Sequence, residues 1–176
     1  PTGVALDGAR IIVMLDEGGV GEALVKQLDK AGAEVLTLEP GTATDALLAQ
    51  VEAWHADAPI TGVYWLPALD DDGDLAEYDL PTWREALRRR VKTLYATMRC
   101  LYDASPFLVS ATRLGGYHGY DADGATNPLG GPVSGFTKSY RKERPEALVK
   151  AVDLAPSRKT AAIAGQLIEE TLFDPG

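Results

Sequence analysis

Five short apolar or β-branched runs alternate with longer stretches of helical periodicity, and this alternation is the strongest constraint on the fold. Residues 9–15 (ARIIVML), 34–38 (EVLTL), 60–66 (ITGVYWL), 106–111 (PFLVSA) and 148–154 read as strands. Helical patterns fill the gaps. Residues 18–31 place Leu24, Val25 and Leu28 on one face and end at Gly32, a good C′ residue. Residues 44–56 carry Leu47, Leu48, Val51 and Trp54 as a stripe, with Thr44 as N-cap. A long helix is expected from Pro81 to Asp103, and two more over 132–143 and 157–173. Strands separated by helices pair in parallel through right-handed crossovers, so the sheet is covered on both faces. The expectation is an α/β fold with a doubly wound, mostly parallel, Rossmann-like sheet in truncated, degenerate form. The default strand order is 3-2-1-4-5.

A chain of 176 residues without internal repeats or a low-complexity linker makes one domain, residues 1–176. It opens on Pro1 and closes on Asp174-Pro175-Gly176, which suggests a piece excised from a larger multidomain protein. Lys and Arg number 17 against 26 Asp and Glu, for a net charge of −9, so nucleic acid and anionic membranes are poor partners. The single Cys100 excludes an internal disulfide and fits a reducing, cytoplasmic setting. With only His55 and His118 beside it, no zinc signature exists and no metal is expected. The early apolar run at residues 11–15 is too short for a signal-peptide core or a membrane span.

In such a sheet, ligands bind beyond the carboxyl ends of the strands. The loop after the first strand reads Leu15-Asp16-Glu17-Gly18-Gly19-Val20-Gly21. A dinucleotide site needs an early Gly for the turn, a second for backbone approach to the pyrophosphate and a third for close helix packing. Gly19 and Gly21 suit the later roles, but Leu15 stands where the first belongs. Asp16 and Glu17 also sit inside the presumed phosphate cradle. A like-charge contact at about 4 Å costs roughly 4 kcal/mol at an effective dielectric near 20. The helix dipole returns only ~0.3–1 kcal/mol. The loop therefore reads as a plain helix start whose carboxylates satisfy its free N–H groups. Gly18, Gly19 and Gly21, with Glu39 after the second strand, form at most a vestigial cofactor loop.

Taken together, Gly19-Val20-Gly21-Glu22-Ala23-Leu24, residues 107–115 (FLVSATRLG) and Gly135-Phe136-Thr137-Lys138 resemble the short-chain dehydrogenase/reductase superfamily over nearly the whole chain. That family works with a Ser, a Tyr that donates a proton to the carbonyl oxygen, and a Lys four residues later that lowers the Tyr pKa. Carried onto this sequence, the three positions fall on Thr112, Thr126 and Gly130. A threonine hydroxyl is too weak an acid for the Tyr role, and glycine offers no charge. None of the seven tyrosines has Lys four residues on; Tyr95 and Tyr140 are followed by Arg99 and Arg144, on other helical segments. A closer resemblance is to the structural subdomain of ketoreductases in modular polyketide synthases and polyunsaturated fatty acid synthases. It rests on residues 108–113 (LVSATR) and 127–154, with Glu143-Arg144-Pro145 and Val152-Asp153-Leu154. In those enzymes the first Rossmann-like half has lost cofactor and catalysis, and the second half carries NADPH and the active site.

That resemblance implies a non-catalytic half with no catalytic residues and no cofactor of its own. It would pack on an NADPH-binding catalytic half of the same polypeptide that reduces β-ketoacyl thioesters on an acyl carrier protein, itself a second candidate partner. Two alternatives stay open: a divergent NAD(P)-dependent reductase using Thr112 and a displaced Tyr, and a regulatory module sensing a nucleotide through the degenerate loop. Four smaller features have ordinary explanations. His118 reads as an exposed loop residue, and Asp70 to Asp74 as a solvated acidic turn rather than half a calcium loop. Arg84, Arg88, Arg89, Arg90 and Lys92 read as a solvated basic face, with partner docking as the sharper reading. Cys100 reads as a buried small hydrophobe.

Overall fold

The computed structural model describes residues 1–120, 122 and 124–174; Asp121 and Asp123 of the Gly-rich loop, and the closing Pro175-Gly176, lie outside the described residues. Five strands, β1 (Arg10–Met14), β2 (Glu34–Leu38), β3 (Gly62–Trp65), β4 (Phe107–Thr112) and β5 (Val149–Asp153), form one sheet. Every pairing is parallel. Six α-helices connect and cover them: α1 (Val20–Lys30), α2 (Thr44–Asp57), α3 (Leu80–Leu87), α4 (Thr93–Cys100), α5 (Gly130–Glu143) and α6 (Thr160–Phe173). The α/β, Rossmann-like class is as the sequence indicated.

The strand order is β2-β1-β3-β4-β5, not 3-2-1-4-5. Burial explains the difference. β3 (GVYW) is buried along its whole length, whereas Glu34 and Thr37 of β2 are exposed. A strand apolar on both faces belongs inside the sheet, and one with exposed polar side chains tolerates its edge. The order 3-2-1-4-5 would have put Val63, Tyr64 and Trp65 at the rim.

One core layer lies between the sheet and α1 with α6, built around Ile11, Val13, Leu24, Tyr64, Val109 and Leu167. The other lies under α2, α4 and α5, around Ile12, Val51, Trp65, Leu94, Leu108 and Val133. The helix expected from Pro81 to Asp103 is interrupted. Between α3 and α4 the chain makes a wide π turn over Arg88–Lys92, and after Cys100 it tightens into a 3-10 turn. Thr44 opens α2 as its first helical residue rather than its cap; Ala43 holds the cap position without a side-chain hydrogen bond. At α3 the cap is Asp79, whose carboxylate accepts the Thr82 N–H at 2.8 Å. Among the described residues no helix is long and apolar enough to cross a membrane.

Candidate functional site

A parallel sheet brings all its carboxyl ends to one side, so Asp16, Glu39, Asp70, Thr112 and Asp153 gather at the same end of the molecule. With this strand order the topological switch point lies between β1 and β3, where chain connections leave in opposite directions and open a crevice. The loops after β1 and β3 form its walls.

Carboxylates fill that crevice. Asp16 is 7% exposed. Its Oδ1 accepts the Gly21 N–H at 2.7 Å and its Oδ2 the Val20 N–H at 3.2 Å. These are first-turn donors of α1, the groups that would receive an anion. Gly19 precedes the helix with φ 88°, a left-handed conformation suited to glycine. Gly21 lets strand and helix touch: a Cβ there would lie 2.6 Å from Leu15 Cδ2. So Leu15, in place of the early glycine, packs into the gap that glycine would have left open. The Glu17 N–H donates to Asp70 Oδ1 at 2.8 Å, and its carboxylate pairs with Arg89 at 2.5 Å. Burial, aided by Asp16 and Glu17, pushes the Asp70 carboxyl up to about 6, although the Glu17 N–H pulls it back. A cleft of about 540 Å³ opens beside this cluster, lined by Asp16, Glu17, Glu22, Glu39 and Arg89 among others. Glu39 is exposed in its lining, and Gly18 is exposed on the loop after β1.

A dinucleotide does not fit this arrangement. Its pyrophosphate would have to displace Asp16 from the Val20 and Gly21 N–H groups, or lie against that carboxylate. The single cation of the cleft lining, Arg89, is already paired with Glu17.

At the end of β4 two of the three positions marked by the family resemblance, Thr112 and Gly130, meet, and Thr126 stands apart. The Thr112 side chain is fully buried and donates its hydroxyl to Asp153 Oδ1 at 2.9 Å. Thr126 is exposed on the loop. Gly130 opens α5 and packs directly on Thr112: a Cβ at Gly130 would stand 3.2 Å from Thr112 Cβ and 3.3 Å from Leu114 Cδ2. A longer side chain there would need the strand and helix to part.

Asp153 is the organising residue that the sequence reading passed over. Its Oδ1 also accepts the Leu114 N–H at 2.6 Å, and its Oδ2 accepts Gly116 and His118 N–H at 2.7 and 2.8 Å. It thus pins the start of the Gly-rich loop, and His118, itself exposed, holds φ 55° under that restraint. The string Val152-Asp153-Leu154 was visible, but nothing in it shows that four donors would converge.

The basic cluster is a solvated face only at Arg84 and Lys92, which are exposed; its three central arginines are paired. Arg88 pairs with Glu85 at 2.6 Å, Arg89 with Glu17, and Arg90 with Asp72 at 2.8 Å, the Arg90 and Asp72 side chains being 8% and 1% exposed. Asp72 also accepts the Leu129 N–H at 2.8 Å, which fastens the start of α5 to the acidic turn. That turn is therefore partly interior. The substitute tyrosines fare no better. Tyr140 is buried, its phenol pushed up to about 12 by desolvation, away from the range of a proton donor near neutral pH. Tyr95 lies on the outer side of α4 with Arg99 on its hydroxyl at 3.2 Å. Cys100 is half-buried, and burial raises its thiol pKa.

No family model matches the chain, and no curated protein matches it. Solved structures do. A short-chain dehydrogenase/reductase of the glucose/ribitol dehydrogenase type from Brucella melitensis superposes with a TM-score of 0.74 at 13% identity, covering 94% of this chain and 89% of that one. A short-chain dehydrogenase/reductase from Serratia marcescens gives 0.72 at 15% identity, over 95% and 90%. An oxidoreductase of the same family from Brucella ovis, solved with a partially ordered NAD, gives 0.68 at 13% identity, over 93% and 92%. At such identities the likeness concerns the fold: this chain builds the Rossmann-like sheet that short-chain dehydrogenases and reductases build.

Proposed function

We propose that this chain is a non-catalytic structural half of a ketoreductase. Its task is to pack on and support an NADPH-binding half that reduces β-ketoacyl thioesters presented by an acyl carrier protein. The observation that carries the reading is Asp16, whose carboxylate occupies the first-turn N–H groups of α1 where a dinucleotide would place its pyrophosphate. The commitment of Thr112 to Asp153, and the packing of Gly130 against Thr112, support it from the other half of the site. A divergent reductase would need an acid and a cation where Thr126 and Gly130 stand. The test is calorimetric titration of the protein with NADPH. No binding up to millimolar concentration is expected; micromolar binding would overturn the scaffold reading and favour a reductase or a nucleotide sensor.

A further inference from the structure

Helix α3 carries an apolar face that the described residues leave open. Of its eight residues only Ala86 is buried. Leu80, Trp83 and Leu87 recur at the i, i+3, i+7 spacing of one helical stripe. Leu80 is 58% exposed and Trp83 39%, and Leu87 is half-buried. A surface helix normally turns such a stripe toward the core, because the packing of that stripe is what holds a short helix in shape. Here the stripe meets water, and large apolar side chains gathered in this way mark a contact surface.

The stripe is also held ready for a partner. The Tyr78 ring meets the Trp83 indole edge-on at 6.3 Å, and the Tyr78 hydroxyl donates to the Asp72 carbonyl. The Asp72 carboxylate is in turn tied to Arg90 and to the Leu129 N–H. The indole therefore rests on a fixed support and loses little freedom when it is covered. The charge around it is one-sided. Asp71, Asp74, Glu77 and Asp79 are exposed in the turn that leads into the helix. Arg84 is exposed on α3, whereas Arg88, Arg89 and Arg90 are each paired with a carboxylate.

We propose that this face seats a basic amphipathic helix of a partner protein. The partner's apolar stripe covers Leu80, Trp83 and Leu87, and its lysines or arginines lie toward Asp74, Glu77 and Asp79. Charge selects this occupant. An acidic protein, a nucleic acid or an anionic membrane would be repelled by these carboxylates. A second copy of the chain would set Arg84 against the same carboxylates and leave an excess of negative charge in the contact. With eight residues, α3 is roughly 12 Å long, so the contact is small and its affinity that of a transient complex. The proposal is independent of whether the chain supports a ketoreductase, since it rests on α3 and not on the strand ends.

Fluorescence anisotropy of the whole chain with a labelled peptide of about 14 residues, leucine and lysine patterned as an amphipathic helix, tests it. Two peptides serve as controls: the same residues scrambled so that no face forms, and the same pattern with glutamate for lysine. The patterned lysine peptide should bind with a Kd on the order of 10 micromolar, and both controls at least about tenfold more weakly. Trp83→Ala and Leu80→Lys should each weaken binding about tenfold or more. Both side chains lie outside the core, so the melting temperature should stay close to that of the unaltered chain. Asp74→Asn combined with Glu77→Gln should weaken binding severalfold and flatten its salt dependence. Phe173→Ser, an exposed change on α6, should leave it unaltered. A chain that does not bind the patterned peptide overturns the proposal. So does equal binding of either control peptide, or binding indifferent to Trp83→Ala or to Leu80→Lys. Preferential binding to phosphatidylcholine vesicles, or a dimer of the chain that Trp83→Ala dissolves, overturns it as well, since each gives the face another occupant.

Discussion

The carboxylate of Asp70 ends the turn after β3 with Asp16 and Glu17 beside it and one N–H donor, from Glu17, in front of it. Burial raises its pKa to about 6. An acid raised in the folded state makes that state bind a proton the unfolded chain would release. The penalty is therefore fully present above about pH 7 and disappears as pH falls through 6 toward the unfolded value near 4. A shift of this size corresponds to at most ~3 kcal/mol, and solvent reaching the half-open site reduces it. Asp70→Asn keeps an acceptor for Glu17 N–H, so urea unfolding at pH 8 should show it more stable than wild type by about 1 kcal/mol. The difference should fall to about half near pH 5 and vanish only below about pH 4, and equal stabilities at pH 8 would contradict the assignment. Asp16 holds the fold together instead, because its carboxylate is the partner of two otherwise unsatisfied donors. Asp16→Ala should cost about 1–2 kcal/mol, in the range of a lost helix cap. The role was readable beforehand: two acids ahead of a helix with its early glycine missing can cap that helix more easily than they can tolerate a phosphate. Which of the two would cap was not readable, because Glu17 turns outward only to meet Arg89, a residue 72 positions away.

Among the elements, the stretch from α3 to α4 shows best where sequence periodicity stops being informative. The apolar spacing predicted one helix, and residues at both ends are helical, but the middle widens into a π turn. The turn sets Arg90 inward on Asp72 and leaves the Arg90 carbonyl to accept the Trp65 indole N–H at 2.8 Å. Strand β3, the acidic turn, the long helical segment and the start of α5 are thereby tied together. Three consecutive arginines look solvated in a string because nothing local marks the middle one for burial; its acid lies 18 residues away across a loop. Removing one partner of a buried pair strands the other charge, so Asp72→Ala should cost about 3–5 kcal/mol in denaturant unfolding. A cost below about 1 kcal/mol, the value of an exposed pair, would show that Arg90 reaches water after all. The strands themselves were legible, β2 to the residue and the others within two positions, because runs such as RIIVM and FLVSAT have no other stable use in a chain of this composition.

At the scale of the molecule, the strand order could be deduced only by asking which strand tolerates an edge. β1 and β4 pair on both sides, and β3 lies between them. The outer strands are β2, with exposed Glu34 and Thr37, and β5, whose Lys150 is drawn into ion pairs with Glu170 and Asp174 at 2.7 and 2.9 Å. A buried, paired charge on an edge strand and polar side chains on the other are the ordinary means of keeping sheet edges from recruiting more strands. Native-state hydrogen exchange follows from this order. Amides of β1, β3 and β4 have a neighbour on each side and should exchange only on global opening. In β2 and β5 every second N–H points away from the sheet and should exchange orders of magnitude faster. Under the order 3-2-1-4-5, β3 would be the edge and half of its amides, Gly62 to Trp65, would exchange with the fast set. Uniform protection across β3 with alternating protection across β2 is therefore the pattern that places the switch point between β1 and β3. It would likewise place Asp16, Glu17 and Asp70 in the crevice that this topology opens.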